Sequence, residues 1–375
     1  MLTASILAAA VGLATIPGTA ADSVQAEAAG IGRVWLVAWR EFSDFREESS
    51  SDRERVLVSP TIDAGEDWDE MVPSWGVSAK PGAGVRFEVR VVRPDSTTKW
   101  YVMGDWSPDP DRQPRTSVNG QRDDDGNVLT DILALTRPAR FLQFRITFRT
   151  DGTVAMPELK FLSACFRNSK AVPDPSPNGA SDPDRPRAWG KVIEAPRKAQ
   201  MNYENGNVIC SPTSLAMQIG HWGAVLNRDD LKPDVPDVVR GVMDPGWPGT
   251  GNWTFNAAFA HSLPGMRGYV ARFRSVSSLE RWIEAGVPLA VSVSYDLLKG
   301  RGQRGRNDGH IVVLVGFTED GDPVFNDPGR NIVRLTYKRA DFEAAWASSA
   351  NTVYVVYPIG TPVPKPVDRE WFAES

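Results

Sequence analysis

Through residues 141–148 apolar and polar side chains alternate, so that Leu142, Phe144, Ile146 and Phe148 share one face and Gln143, Arg145 and Thr147 the other. A period of two is the signature of a strand with one buried face. Val85, Phe87, Val89 and Val91 repeat the arrangement with Arg86, Glu88 and Arg90 between them, and residues 34–39 and 159–166 add apolar runs of strand length. Asp125-Gly126 reads as a tight hairpin turn. Gly, Pro and Asp punctuate these runs, so residues 30–168 are expected to form an all-β sandwich.

The alternation then stops. Residues 171–187, AVPDPSPNGASDPDRPR, hold almost nothing that could be buried, and a linker is predicted over residues 169–190. Beyond it helical and strand periods mix. Leu215, Ile219 and Trp222 recur at helical spacing behind Ser211-Pro212, with Gly223 expected to end the helix. Ser277 and Glu280 have the spacing of a capping box, and Gly286 and Pro288 close that second helix. Residues 288–295, 310–317, 323–326, 332–337 and 352–357 read as strands. An α+β domain is therefore predicted over residues 191–358, followed by a Pro-rich, charged tail, residues 359–375, expected to fray.

Composition narrows the chemistry. The chain has 42 Lys plus Arg against 47 Asp plus Glu, a net charge of −5. No basic surface for nucleic acid is implied. With 41% hydrophobic and 24% charged residues it lies near the globular average. Two cysteines and three histidines are too few for a disulfide framework or a metal cluster, and neither HExxH nor GxxxxGK[ST] occurs, so no metal or cofactor is expected. Residues 2–16 are apolar but shorter than a bilayer span, and small residues follow at Thr19, Ala20 and Ala21. Residues 1–21 are read as a signal peptide, although no Lys or Arg precedes the apolar run, and the mature chain is expected to be secreted with no integral membrane segment.

The informative stretch is residues 199–223, where Cys210 stands at a predicted helix N-terminus. Unpaired N–H groups and the helix dipole favour a thiolate there. His310 opens an apolar strand, and Asp327 ends the next short one, where a hairpin would bring it beside the imidazole. Together they form a nucleophile, a base and an orienting acid, with the Gln200 amide and the Cys210 N–H as candidate oxyanion donors. Each also has a plainer reading: an inert buried cysteine, a core histidine, a turn aspartate, a solvated glutamine. Asn326 is the alternative orienting residue.

Four strings, QMNYENGNVICSPTSLAM, GNWTFNAAFA, DGHIVVLVGF and FNDPG, occur in this order, and in them the second domain resembles the peptidase C39-like family of papain-like cysteine peptidases. The resemblance implies Cys210 as nucleophile, His310 as general base, Asp327 as orienting acid and Gln200 as oxyanion donor, acting on a peptide or protein substrate. Leader-processing relatives are joined to a membrane transporter and this chain is not, so cleavage after a Gly-Gly leader is not implied. The first domain faintly resembles carbohydrate- or cell-wall-binding sandwiches. A catalytically idle adhesion protein and a cell-wall peptide hydrolase or acyl transferase are the alternatives.

The remaining candidates have structural readings beside their functional ones. His221 and His261 are read as partners of helix C-termini. Asp123, Asp124, Asp125 and Asn127 suggest either a calcium loop or a solvated hairpin, and Trp100, Tyr101 and Trp106 either a sugar platform or core. Cys165 is expected to be a buried hydrophobe, and Trp247, Trp253 and Phe255 to line the substrate cleft or cover it.

Overall fold

The alternating stretches of the first half are strands in the computed structural model, which describes residues 31–172, 187–305 and 308–373. They are β1 (Arg33–Trp39), β2 (Arg46–Ser50), β3 (Glu54–Val58), β4 (Ile62–Ser78), β5 (Ala83–Val92), β6 (Tyr101–Trp106), β7 (Gly126–Leu129), β8 (Ile132–Thr150) and β9 (Glu158–Asn168). One antiparallel sheet runs β1-β9-β4-β8-β3-β2, with β5 and β7 also paired to β8, and β6 to β5. The faces meet over a common core: Trp75 of β4 stacks on Phe87 of β5, ring centroids 4.2 Å apart, although these strands do not pair. The two layers expected of a sandwich are thus parts of one bent sheet. Leu142, Phe144, Ile146 and Phe148 are buried in that core as their spacing predicts. Asp125-Gly126 is not the hairpin turn. It leads into β7 through an Asx turn at Asp123, and the chain reverses at Thr130-Asp131, with Thr130 at φ 62°.

The second half contains α1 (Cys210–Val225), α2 (Val235–Val242), α3 (Trp253–Ser262), β10 (Met266–Arg272), α4 (Val276–Glu284), β11 (Leu289–Ser294), α5 (Tyr295–Leu298), β12 (Gly309–Phe317), β13 (Pro323–Asn326), β14 (Arg334–Thr336), α6 (Arg339–Ala347) and β15 (Thr352–Pro358). Its antiparallel sheet has the order β10-β15-β11-β12-β13-β14. Helix α1 passes Gly223 and ends at Val225. Glycine is needed there for room, since a Cβ would lie 2.5 Å from the Leu231 carbonyl oxygen. The expected capping box does not form: α4 starts at Val276, and Glu280 instead accepts from Trp189 Nε1 at 2.8 Å and pairs with Arg339. Gly286, at φ 84°, does end that helix.

The halves are not tethered beads. Leu36, Val72, Phe161 and Cys165 of the β region belong to the core that α1 and the six-stranded sheet enclose. Ser74 Oγ accepts from Val270 N at 2.9 Å and so covers the unpaired edge of strand β10, and Thr254 Oγ1 donates to the Pro73 carbonyl at 2.9 Å. The predicted linker is anchored at both ends. Ser169 is held by Asp69, while Trp189 and Gly190 bond into the second half; residues 173–186 lie outside the described residues, as does the predicted signal segment. Over residues 359–373 the tail is ordered rather than frayed. Trp371 is 2% exposed and packs on Phe273 and Trp282, and the Arg369 carbonyl accepts from Leu36 N at 2.7 Å. An indole and Phe372 anchor it, which its Pro and charge content conceals. Among the described residues no helix is long and apolar enough to cross a membrane.

Candidate active site

Two short helical turns, Gln200–Asn202 and Gly206–Val208, lead the chain into α1, whose first residue is Cys210. Ser214 fixes the helix to the sheet by donating to the Ile311 carbonyl at 2.9 Å, and Ser211 bonds the Tyr354 hydroxyl at 2.9 Å. The Cys210 sulfur accordingly sits at the start of β12, close enough to His310 and to the N–H groups of Ile311 and Ser211 for each of them to favour the thiolate. Burial pushes this thiol up, but His310 and these N–H groups outweigh it and hold the pKa below the ordinary thiol value.

His310 Nε2 lies 2.8 Å from Asp327 Oδ1, which leaves Nδ1 for the sulfur. Burial favours the neutral ring; Asp327 and Cys210 prevail, raising His310 to about 9. Asp327 in turn accepts from Gly329 N at 2.8 Å and from the Tyr337 hydroxyl at 2.6 Å. Burial raises this carboxyl, and His310 with these donors brings it below the ordinary range. Tyr295 tilts over the imidazole with centroids 4.2 Å apart. A Cβ on Gly329 would meet His310 Cε1 at 3.1 Å and the Tyr295 hydroxyl at 3.1 Å, so the ring is packed against bare backbone.

Three of the four predicted residues therefore meet. Gln200 lines the same cleft, its backbone N–H bonded to the Pro328 carbonyl at 2.8 Å and its Nε2 donating to the Gly206 carbonyl at 2.5 Å. Asn326 faces elsewhere: its Nδ2 donates to the Pro196 carbonyl at 3.0 Å and its Oδ1 accepts from Arg334. Tyr295, Tyr337 and Gly329 had no sequence signal, because each is brought in by a separate turn or strand with no motif around it.

The other candidates resolve into structure. His221 Nδ1 bonds the Glu194 carbonyl at 2.8 Å inside α1, where burial lowers its pKa, so it is no charged partner of the helix end. His261 is buried at the boundary between the halves, stacked on Phe161 and pushed down to about 3 by burial and Arg267. Asp123 accepts from Tyr101 and from the Asp125 and Gly126 N–H groups and pairs with Lys99, while Asp125 pairs with Arg93. Among the described residues no cluster of ligands could hold a metal. Tyr101 and Trp106 are core, and Trp100 lies beneath the guanidiniums of Arg90 and Arg145. Cys165 is buried, and burial raises it to about 11. Trp247 and Trp253 line the cleft, whereas Phe255 packs against Trp75.

The cleft encloses about 950 Å³. Its rim beside the sulfur is apolar, with Met201 and Val208 each 59% exposed and Trp247 45% exposed. Residues 192–354 match the Peptidase_C39 like family, and residues 38–166 match the Peptidase C39 N-terminal domain. A solved structure of a candidate C39-like peptidase from Bacillus anthracis is 19% identical, covering 44% of this chain and 97% of that one at a TM-score of 0.35, a likeness that carries no argument. No curated protein matches the chain.

Proposed function

From the premise that residues 192–354 are a peptidase C39-like domain, we propose that this chain is a papain-like cysteine peptidase hydrolysing peptide bonds through Cys210, His310, Asp327 and Gln200. The observation that carries the reading is the position of the His310 ring, bonded on one nitrogen to Asp327 at 2.8 Å and close enough to Cys210 for imidazole and thiol to shift one another's pKa. The raised imidazole and lowered thiol favour a thiolate–imidazolium pair.

In the first step the thiolate attacks the scissile carbonyl carbon, and the carbonyl oxygen takes the negative charge. The Cys210 N–H and the Gln200 amide donate to that oxygen. As the C–N bond breaks, His310 Nδ1 passes its proton to the leaving amine, and a thioester remains on Cys210. Water then attacks the thioester while His310 accepts its proton; collapse releases the acid and restores the pair. Asp327 holds the ring throughout, and Tyr337 and Gly329 hold Asp327.

Cys210→Ala is expected to abolish cleavage of a peptide library and labelling by iodoacetamide at neutral pH while leaving the circular dichroism spectrum unchanged. Cleavage at the wild-type rate by that variant would reject the mechanism. We extend the reading to export, on the apolar run of residues 2–16; the N-terminal residue of protein recovered from culture medium tests it, with processing near Ala21 expected.

A further inference from the structure

The cleft is not made by the peptidase half alone. Glu70 of β4, Ile132 of β8 and Arg167 of β9 stand in its wall together with Arg272, the last residue of β10. Glu70 lies between the two guanidiniums, its Oε1 2.9 Å from Arg167 Nη1 and its Oε2 2.9 Å from Arg272 Nη1. Both carboxylate oxygens are thereby engaged. Arg167 Nε is held by the Ile31 carbonyl at 2.6 Å and Arg272 Nε faces Thr352 Oγ1 at 3.5 Å. A guanidinium carries five N–H donors, so two of them around one carboxylate leave donors and one positive charge in excess. Asp131, beside Ile132, accepts from Trp253 N and interacts electrostatically with Arg272, but burial raises it to about 7, so it offsets that charge only in part.

Distance gives the cluster its place on a substrate. The register Arg272–Thr352, Val353–Val291 and Ser292–Ile311 puts Arg272 and His310 at the same end of the sheet, three strands apart. Strands about 4.8 Å apart make that separation about 14 Å, which an extended peptide covers in about four residues.

We propose that the β domain supplies a substrate subsite, formed by Arg167 with Glu70 and Arg272, that binds a carboxylate about four residues from the scissile bond. The inference rests on the peptidase reading for the direction of the peptide, but not for binding itself. Glu70 holds both guanidiniums in place, and the incoming carboxylate, an Asp or Glu side chain or a chain terminus, takes the remaining donors. The neighbouring Ile132 and Trp253 supply apolar surface for the residues between.

Two measurements test it. Pooled peptides cleaved by the wild-type protein and aligned at their cut sites should show Asp and Glu enriched three to five residues from the cut. Arg167→Gln, with folding checked by near-ultraviolet circular dichroism, should erase that enrichment, and Arg167→Glu should replace it by Lys and Arg. Separately, Cys210→Ala should bind peptide pools carrying one Asp about tenfold more tightly than the same pools carrying Asn, a difference lost in the Cys210→Ala, Arg167→Gln double variant. Cleavage with no acidic enrichment, or with an enrichment indifferent to Arg167, overturns the subsite and leaves the peptidase. Arg167-dependent binding without cleavage by the wild type overturns the peptidase and leaves the subsite; neither cleavage nor preference removes both.

Discussion

His310 owes its charge to two neighbours, and that dependence can be read from pH. Below the lowered pKa of Cys210 the sulfur takes a proton and the nucleophile is lost; above about 9 the imidazolium loses the proton that the leaving amine needs. The kcat/KM profile is therefore expected to be bell-shaped with its upper limb near 9. Asp327→Asn keeps an acceptor for Nε2 but removes the carboxylate charge that raises the ring, so the upper limb should move down in pH and the plateau should fall at least about tenfold. An unmoved upper limb would mean that Asp327 does not set the imidazole. Tyr337→Phe leaves Asp327 Oδ2, buried, without its 2.6 Å donor. A stability loss of about 1–3 kcal/mol in urea denaturation is expected, together with reduced turnover. Cys210, His310 and Asp327 were legible because each lies in a string with local character: a helix start, an apolar strand behind a polar loop, a turn. Tyr337 and Glu70 were not, since their importance comes from partners distant in sequence, Asp327 for the one and Arg167 with Arg272 for the other.

Helices and strands hold the site by their ends, and glycine is placed where those ends crowd. Gly329, just past β13, abuts the imidazole, the Tyr295 hydroxyl and Asp327 Oδ1, at 3.1, 3.1 and 3.2 Å from where a Cβ would stand. Gly329→Ala should displace the ring by a few tenths of an ångström: kcat and the rate of Cys210 alkylation fall together while the melting temperature barely changes. An active Gly329→Ala protein with wild-type alkylation would show that the ring has room to move. Half-buried strands were readable from their alternation, as in β5 and β8. Strand β10 escaped because all of its residues are buried, two arginines among them, so it shows no period. The capping box at Ser277 failed for a related reason, as Glu280 bonds Trp189 and Arg339, partners that helical spacing does not encode.

At the scale of the molecule, composition at residues 171–187 suggested a separation that packing does not honour. The halves share the core around Phe161, Cys165 and Tyr269, and Phe255 of α3 presses on Trp75 of the β region while Gly104 gives it space, a Cβ there meeting Phe255 Cε1 at 3.0 Å. Residues that bury one another across a boundary unfold together, because separating the halves exposes apolar surface on both. One thermal transition is therefore expected by tryptophan fluorescence and by far-ultraviolet circular dichroism alike. Phe255→Ala, which removes a buried ring from the boundary, should lower that single transition by about 3–5 kcal/mol rather than split it. A protease site introduced between Val172 and Arg187 gives the sharper test. After cutting, the two fragments should co-elute on size exclusion with the alkylation rate of Cys210 retained, since the boundary and not the connecting chain holds them. Fragments that separate, or two transitions that Phe255→Ala does not merge or shift, would establish the halves as independent domains, and with that the β region would have no part in the wall of the cleft.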